Sequence, residues 1–206
     1  MRRESATVVV LVGEVDGGLL AELARSPNVS VARAPDARPD EPAAGDAAAA
    51  RPGWEPGAAA MKEAAWRRAT YVIVPDDPLA EVAAQWRAMW EAPAGAAGAA
   101  GFEKSAAEAL AAWRASRFEL PDYYLVMVPG LHGATGADLY LGPLHAMRPR
   151  RVSVADTAGS PGQPGRLLAA LRSLEHGPWW PPLDDLIDAT RRFYAGGLGA
   201  TPPLPR

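Results

Sequence analysis

The run Thr7-Val8-Val9-Val10-Leu11-Val12 constrains the fold more than any other part of the chain. A strand with one wet face alternates apolar and polar residues; six consecutive apolar or β-branched residues require cover on both faces, the condition of a strand inside a parallel sheet flanked by helices. Tyr71-Val72-Ile73-Val74 and Tyr123-Tyr124-Leu125-Val126-Met127-Val128 repeat the pattern, and Val29-Ser30-Val31-Ala32 and Arg151-Val152-Ser153-Val154 are shorter versions of it. Five parallel strands are predicted near 6–13, 28–33, 70–75, 122–129 and 150–155.

Helical periodicity fills the intervals. Gly17-Gly18 turns the chain into a helix carrying Leu19, Leu20 and Leu23, which stops at Pro27-Asn28. Residues 58–69 read as a helix with Met61, Ala65 and Trp66 inward. Leu79, Val82, Ala83, Trp86, Met89 and Trp90 form one apolar stripe, and Phe102, Ala106, Leu110 and Trp113 form another. A short helix is expected at 137–147, and two more at 166–175 and 183–194. Strands alternating with helices define an α/β class, a three-layer, doubly wound domain of Rossmann-like or flavodoxin-like type with a mainly parallel five-stranded sheet. The expected strand order is 2-1-3-4-5.

At 206 residues this is read as one domain over 1–195, with a mobile loop inserted at 36–56 and a Pro/Gly-rich tail at 196–206. The loop is Pro, Asp, Gly and Ala with Trp54 as its one aromatic, too little apolar area to offset the entropy of ordering it.

Composition excludes several functions. A net charge of -3, from 21 basic and 24 acidic residues, gives no broad positive field, so nucleic acid is not expected as a partner. The absence of cysteine removes disulfides, thiolate metal sites and cysteine nucleophiles, and fits a cytoplasmic protein. Met1-Arg2-Arg3 and the apolar run after it end too early at Gly13-Glu14 for a signal peptide, and no membrane span is expected.

In open parallel sheets ligands bind beyond the carboxyl ends of the strands. There the glycine-rich turn Gly130, Gly133, Thr135 and Gly136 can aim backbone N–H groups at an anion, with His132 placed as a catalytic acid or base, and Glu14 and Asp16 beside it. A tight turn capped by Thr135 or Asp138 accounts for the same glycines. Asp76 and Asp77 form a candidate metal pair for Mg²⁺, although Asp77 before Pro78 also has the form of a helix cap. No P-loop, dinucleotide-binding glycine motif, nucleophile elbow or H-E-x-x-H is present. Four of the seven tryptophans, Trp66, Trp86, Trp90 and Trp113, are assigned to the core. Trp179-Trp180, framed by Gly177-Pro178 and Pro181-Pro182, are candidate interface residues, since two adjacent rings in a rigid segment cannot easily share one core.

The leading expectation is an accessory or protein-interaction domain in an intracellular assembly, with a protein partner. The alternative is an enzyme or sensor for a nucleotide or phosphorylated ligand at the carboxyl ends of the strands.

Overall fold

The computed structural model of the chain describes residues 6–34, 52–91, 96–128, 137–156 and 164–196. In order these form β1 (Thr7–Val12), α1 (Gly17–Ala24), β2 (Val29–Val31), α2 (Glu55–Ala64), β3 (Tyr71–Val74), α3 (Ala80–Glu91), α4 (Ala96–Arg114) and β4 (Tyr123–Val128). A π-helical turn (Tyr140–Leu144) then runs into α5 (His145–Met147), followed by β5 (Val152–Asp156), α6 (Pro164–Arg172) and α7 (Leu183–Gly196). All five strands are parallel, as the unbroken apolar runs require.

β1 lies at the centre and feeds both layers. Val9 and Leu11 pack under α1 and α6, with Leu19, Leu23, Leu167 and Leu171, whereas Val8, Val10 and Val12 face the larger core beneath α2, α3, α4, the π turn and α7. The aromatic centre of that second layer is Trp86, whose ring lies 5.6 Å from Phe102, 5.7 Å from Trp90 and 5.9 Å from Tyr194. The α3 stripe is therefore core, as its spacing implies.

Three expectations are corrected. The strand order is β2-β3-β1-β4-β5, not 2-1-3-4-5: β3 stands between β2 and β1. The four-residue Tyr71–Val74, buried along nearly its whole length, takes the inner place, and the three-residue β2, with Ser30 at its centre, takes the edge where less cover is available. The connection from β1 through α1 passes over β3, and the return from β2 to β3 uses the opposite face, the alternation that right-handed crossovers impose.

Second, the helix expected at 58–69 is displaced. α2 starts at Glu55 and ends at Ala64, so Ala65 and Trp66 fall beyond the last turn, where helical phase no longer points them inward; Trp66 is 78% exposed. Third, the last residues of the segment read as a loop over 36–56 are folded. Trp54 sits 6.4 Å from Phe118 and leads directly into α2, while positions 36–51 lie outside the described residues. The fifth strand is also less uniform than expected, because β5 is an edge and leaves Val154 39% exposed. Tail residues 197–206 lie outside the described set.

Candidate functional site

At the carboxyl end of β1 the backbone turns at Gly13 with φ +122°, and a Cβ there would meet the Met127 carbonyl oxygen at 2.9 Å. Only glycine fits this turn, which sets the loop leading to α1 tight against β4. Glu14 is exposed beyond it. Asp16 is the N-cap of α1, its carboxylate accepting from the Leu19 amide at 2.7 Å. That bond places a negative charge where an anion bound at the helix end would have to sit.

The two aspartates after β3 diverge. Asp76 accepts from the Ala34 amide at 3.1 Å, tying the exit of β2 to the exit of β3. Asp77 turns inward and is buried; it accepts from the Leu79 amide at 3.0 Å, from the Tyr124 hydroxyl at 3.3 Å and, in a shorter bond, from the Tyr140 hydroxyl. The structure thus does not bring Asp76 and Asp77 together as a chelating pair, and among the described residues no group of three or more His, Asp or Glu side chains is placed to hold a metal ion. At the end of β5 Asp156 lies 3.8 Å from the Arg166 guanidinium. His132, Gly130, Gly133, Thr135 and Gly136 lie outside the described residues. The described part of this rim carries Glu14, Asp16, Asp76 and Asp156 together with Arg33 and Arg166.

The buried Asp77 cluster was not visible in the sequence. Burial is the main cause that raises its carboxyl from the usual 3.8 to about 6, and the three hydrogen bonds pull it part of the way back. Burial, reinforced by the Asp77 charge, pushes both tyrosine hydroxyls well above their ordinary range. The backbone of α2 seats directly on this corner at Gly57. An inward-facing tyrosine in a strand is the one available signal, since a buried phenol needs a polar partner.

The raised carboxyl has a calculable effect on stability. Folding favours the protonated acid, so the stabilisation is complete below about pH 4 and is lost as pH rises through about 6. With about 1.4 kcal/mol per pKa unit the difference amounts to about 3 kcal/mol. Asp77→Asn keeps the shape and one acceptor oxygen without the charge, its NH2 taking the place of the other oxygen as a donor. Thermal melts between pH 4 and 7 are expected to slope downward in wild-type protein and to flatten in this variant; a slope that survives unchanged would show that another group causes it.

At the opposite, amino-terminal ends of the strands the structure builds a different site. Arg151, just before β5, is buried, and its guanidinium lies 4.9 Å from the ring centres of both Tyr123 and Trp179. It donates to the carbonyls of Gly177 at 2.7 Å, Pro178 at 3.1 Å and Asp122 at 3.2 Å, and Arg148 donates to the Trp179 carbonyl at 2.7 Å. Residues 175–182 are thereby strapped across the starts of β4 and β5. Trp180 is buried in the strap, its indole N–H donating to the Pro121 carbonyl at 2.8 Å and its ring 5.7 Å from Tyr124. Trp179 is left 47% exposed over Arg151. Trp66 belongs to the same rim, because α2 runs against the strand direction and ends at the start of β3.

Among the described residues no helix is long and apolar enough to cross a membrane. No family model matches the chain, and neither a curated protein nor a solved structure does.

Proposed function

We propose that this chain is a protein-binding accessory domain that meets its partner through the amino-terminal rim of the sheet, with Trp66 and Trp179 as anchors. The observation that carries the reading is that the two exposed tryptophans, 78% and 47% accessible, lie at the same end of the strands. Each ring offers on the order of 200 Å² of mostly apolar surface, so covering the exposed part of Trp66 is worth roughly 3–4 kcal/mol of burial that folding alone leaves unused. Tryptophan held beside arginine is a common composition for the few residues that dominate a protein interface. Arg67 and Arg68 follow Trp66 in the chain, and Arg148 and Arg151 frame Trp179. The neighbouring Trp180 supports the rim from within by fixing the strap. Overall negative charge favours a protein partner over nucleic acid.

The test compares tagged wild-type protein with Trp66→Ala/Trp179→Ala in quantitative affinity capture from the native cell. Loss of a single anchor is expected to weaken a partner by about 2 kcal/mol or more, roughly thirtyfold, while Trp66→Ala, at an exposed position, shifts folding stability by no more than about 0.5 kcal/mol. Equal recovery of the same partners by both proteins would remove the basis of this reading.

A further inference from the structure

We infer that the partner of the amino-terminal rim is an acidic protein segment carrying apolar side chains, a conclusion that rests on reading this rim as the binding surface. The net charge of -3 conceals a division between the two ends of the sheet. Arg25 leads into β2, Arg67 and Arg68 into β3, and Arg148, Arg150 and Arg151 into β5. Asp122 stands before β4, its carboxylate accepting from the Val8 amide at 2.7 Å. The opposite rim carries Glu14, Asp16, Asp76 and Asp156 beside Arg33 and Arg166. A negatively charged partner is therefore drawn to the amino-terminal rim and turned away from the other.

The positive charge gathers at the two exposed tryptophans. Arg67 and Arg68 follow Trp66, and Ala24 lines the same groove as Arg67, which sets Arg25 at the end of α1 close by. Trp179 lies over Arg151 and accepts from Arg148 through its carbonyl. Glu63 and Glu175 oppose these arginines, but each is already in an ion pair, with Arg67 at 2.8 Å and with Arg150 at 3.3 Å. Arg25 and Arg68 are exposed and have no carboxylate partner among the described residues. The carboxyl end of a helix such as α2 contributes about half a unit of negative charge, less than these two guanidinium groups together.

One segment can reach both rings. β3 and β5 are separated by β1 and β4, three strand spacings of about 4.8 Å, so their starts stand about 14 Å apart. About ten helical or five extended residues cover that distance. A segment with an apolar side chain toward each end and carboxylates around them meets an indole and an arginine at both places. A nucleic acid strand, with its continuous run of charge, must also pass Glu63 and Glu175 and approach a chain of negative net charge, whereas a protein segment places its carboxylates singly.

Fluorescence anisotropy with a labelled model segment tests this. The probe is a peptide of about twenty residues with leucines along one helix face and glutamates elsewhere. A counterpart has lysine for every glutamate, and single-stranded DNA of similar length is the third ligand. The glutamate peptide is expected to bind wild-type protein and the lysine peptide is not, and the affinity should fall about tenfold between roughly 0.05 and 0.3 M salt. Arg25→Glu/Arg68→Glu should weaken binding about tenfold, mainly through the association rate, and the neutral Arg25→Gln/Arg68→Gln by less, with circular dichroism unchanged in both. Trp66→Ala should weaken it as well. No binding of the glutamate peptide, or equal binding of the lysine peptide, overturns the inference. Loss with Trp66→Ala and no effect of either arginine pair overturns it too, but leaves the rim as the binding surface. A peptide whose binding none of these variants alters removes both readings. DNA that binds more tightly than the glutamate peptide, and loses affinity in the arginine variants, assigns the rim to nucleic acid instead.

Discussion

Gly57→Ala is expected to lower the stability of this protein by about 3 kcal/mol or more, although it adds a single methyl group to a helix and alanine is the better helix former. The cause is backbone against backbone: a Cβ at Gly57 would meet the Pro78 nitrogen at 2.1 Å, the Asp77 carbonyl carbon at 2.3 Å and the Pro78 Cα at 2.5 Å. None of these atoms can rotate aside as a side chain would, so α2 must lift from the turn between β3 and α3. That turn carries Asp77, and lifting α2 lets water reach the carboxyl and its two tyrosines. For a chain of this length the melting temperature should fall by roughly 10 °C, with a weaker pH slope between 4 and 7. A melting temperature within a degree or two of wild type would mean that α2 does not seat on Asp77–Pro78.

Arg151→Ala should have a comparable effect by a different route. The guanidinium is the common donor to three carbonyls and fills the space between Tyr123 and Trp179; removing it leaves those acceptors without their bonds and opens a gap at the starts of β4 and β5. A loss of about 3 kcal/mol is expected, and Arg151→Lys should recover little of it, because an ammonium cannot present a planar fork to three fixed carbonyls while stacking on two rings. Hydrogen exchange should quicken at residues 175–180 first. Unchanged exchange there would show that Tyr123, Arg148 and Trp180 hold the strap without Arg151. Because Trp179 rests on Arg151, the same variant should also weaken partner capture.

The parts of this architecture that could be read in the sequence are those set by a repeated local pattern. Val8 to Val12 and Leu125 to Met127 announce two-sided burial because every residue must be apolar, and Val82, Trp86 and Met89 announce a helix face because their spacing matches its period. Strand order is not a local property. It depends on which strands can best fill the inner positions, and the advantage of Tyr71–Val74 over Val29–Val31 appears only when both compete for the place beside β1. Trp66 was misplaced because two residues decide whether it lies inside α2 or past its end, and helix ends are the least determined part of any such pattern.

The candidate site was legible only in fragments. Asp77 stood out beside Pro78, but its partners Tyr124 and Tyr140 lie 47 and 63 residues further on, brought in by β4 and by the π turn around Pro143. Arg151 looked like any other arginine, since nothing in Arg150-Arg151-Val152 says that one guanidinium is buried against carbonyls 26 and 27 residues away. Trp179 and Trp180 stood out, and the split between one buried and one exposed ring follows from their rigid setting.

The proposed function places the working surface at the amino-terminal rim, not at the carboxyl ends of the strands. Photo-crosslinking in the native cell tests it most directly, with a benzophenone amino acid placed singly at Trp66, at Trp179 and at Glu14, an exposed position on the opposite rim. A discrete cross-linked protein is expected from both tryptophan positions and none from Glu14. Cross-links from Glu14 alone would move the functional surface to the carboxyl ends of the strands.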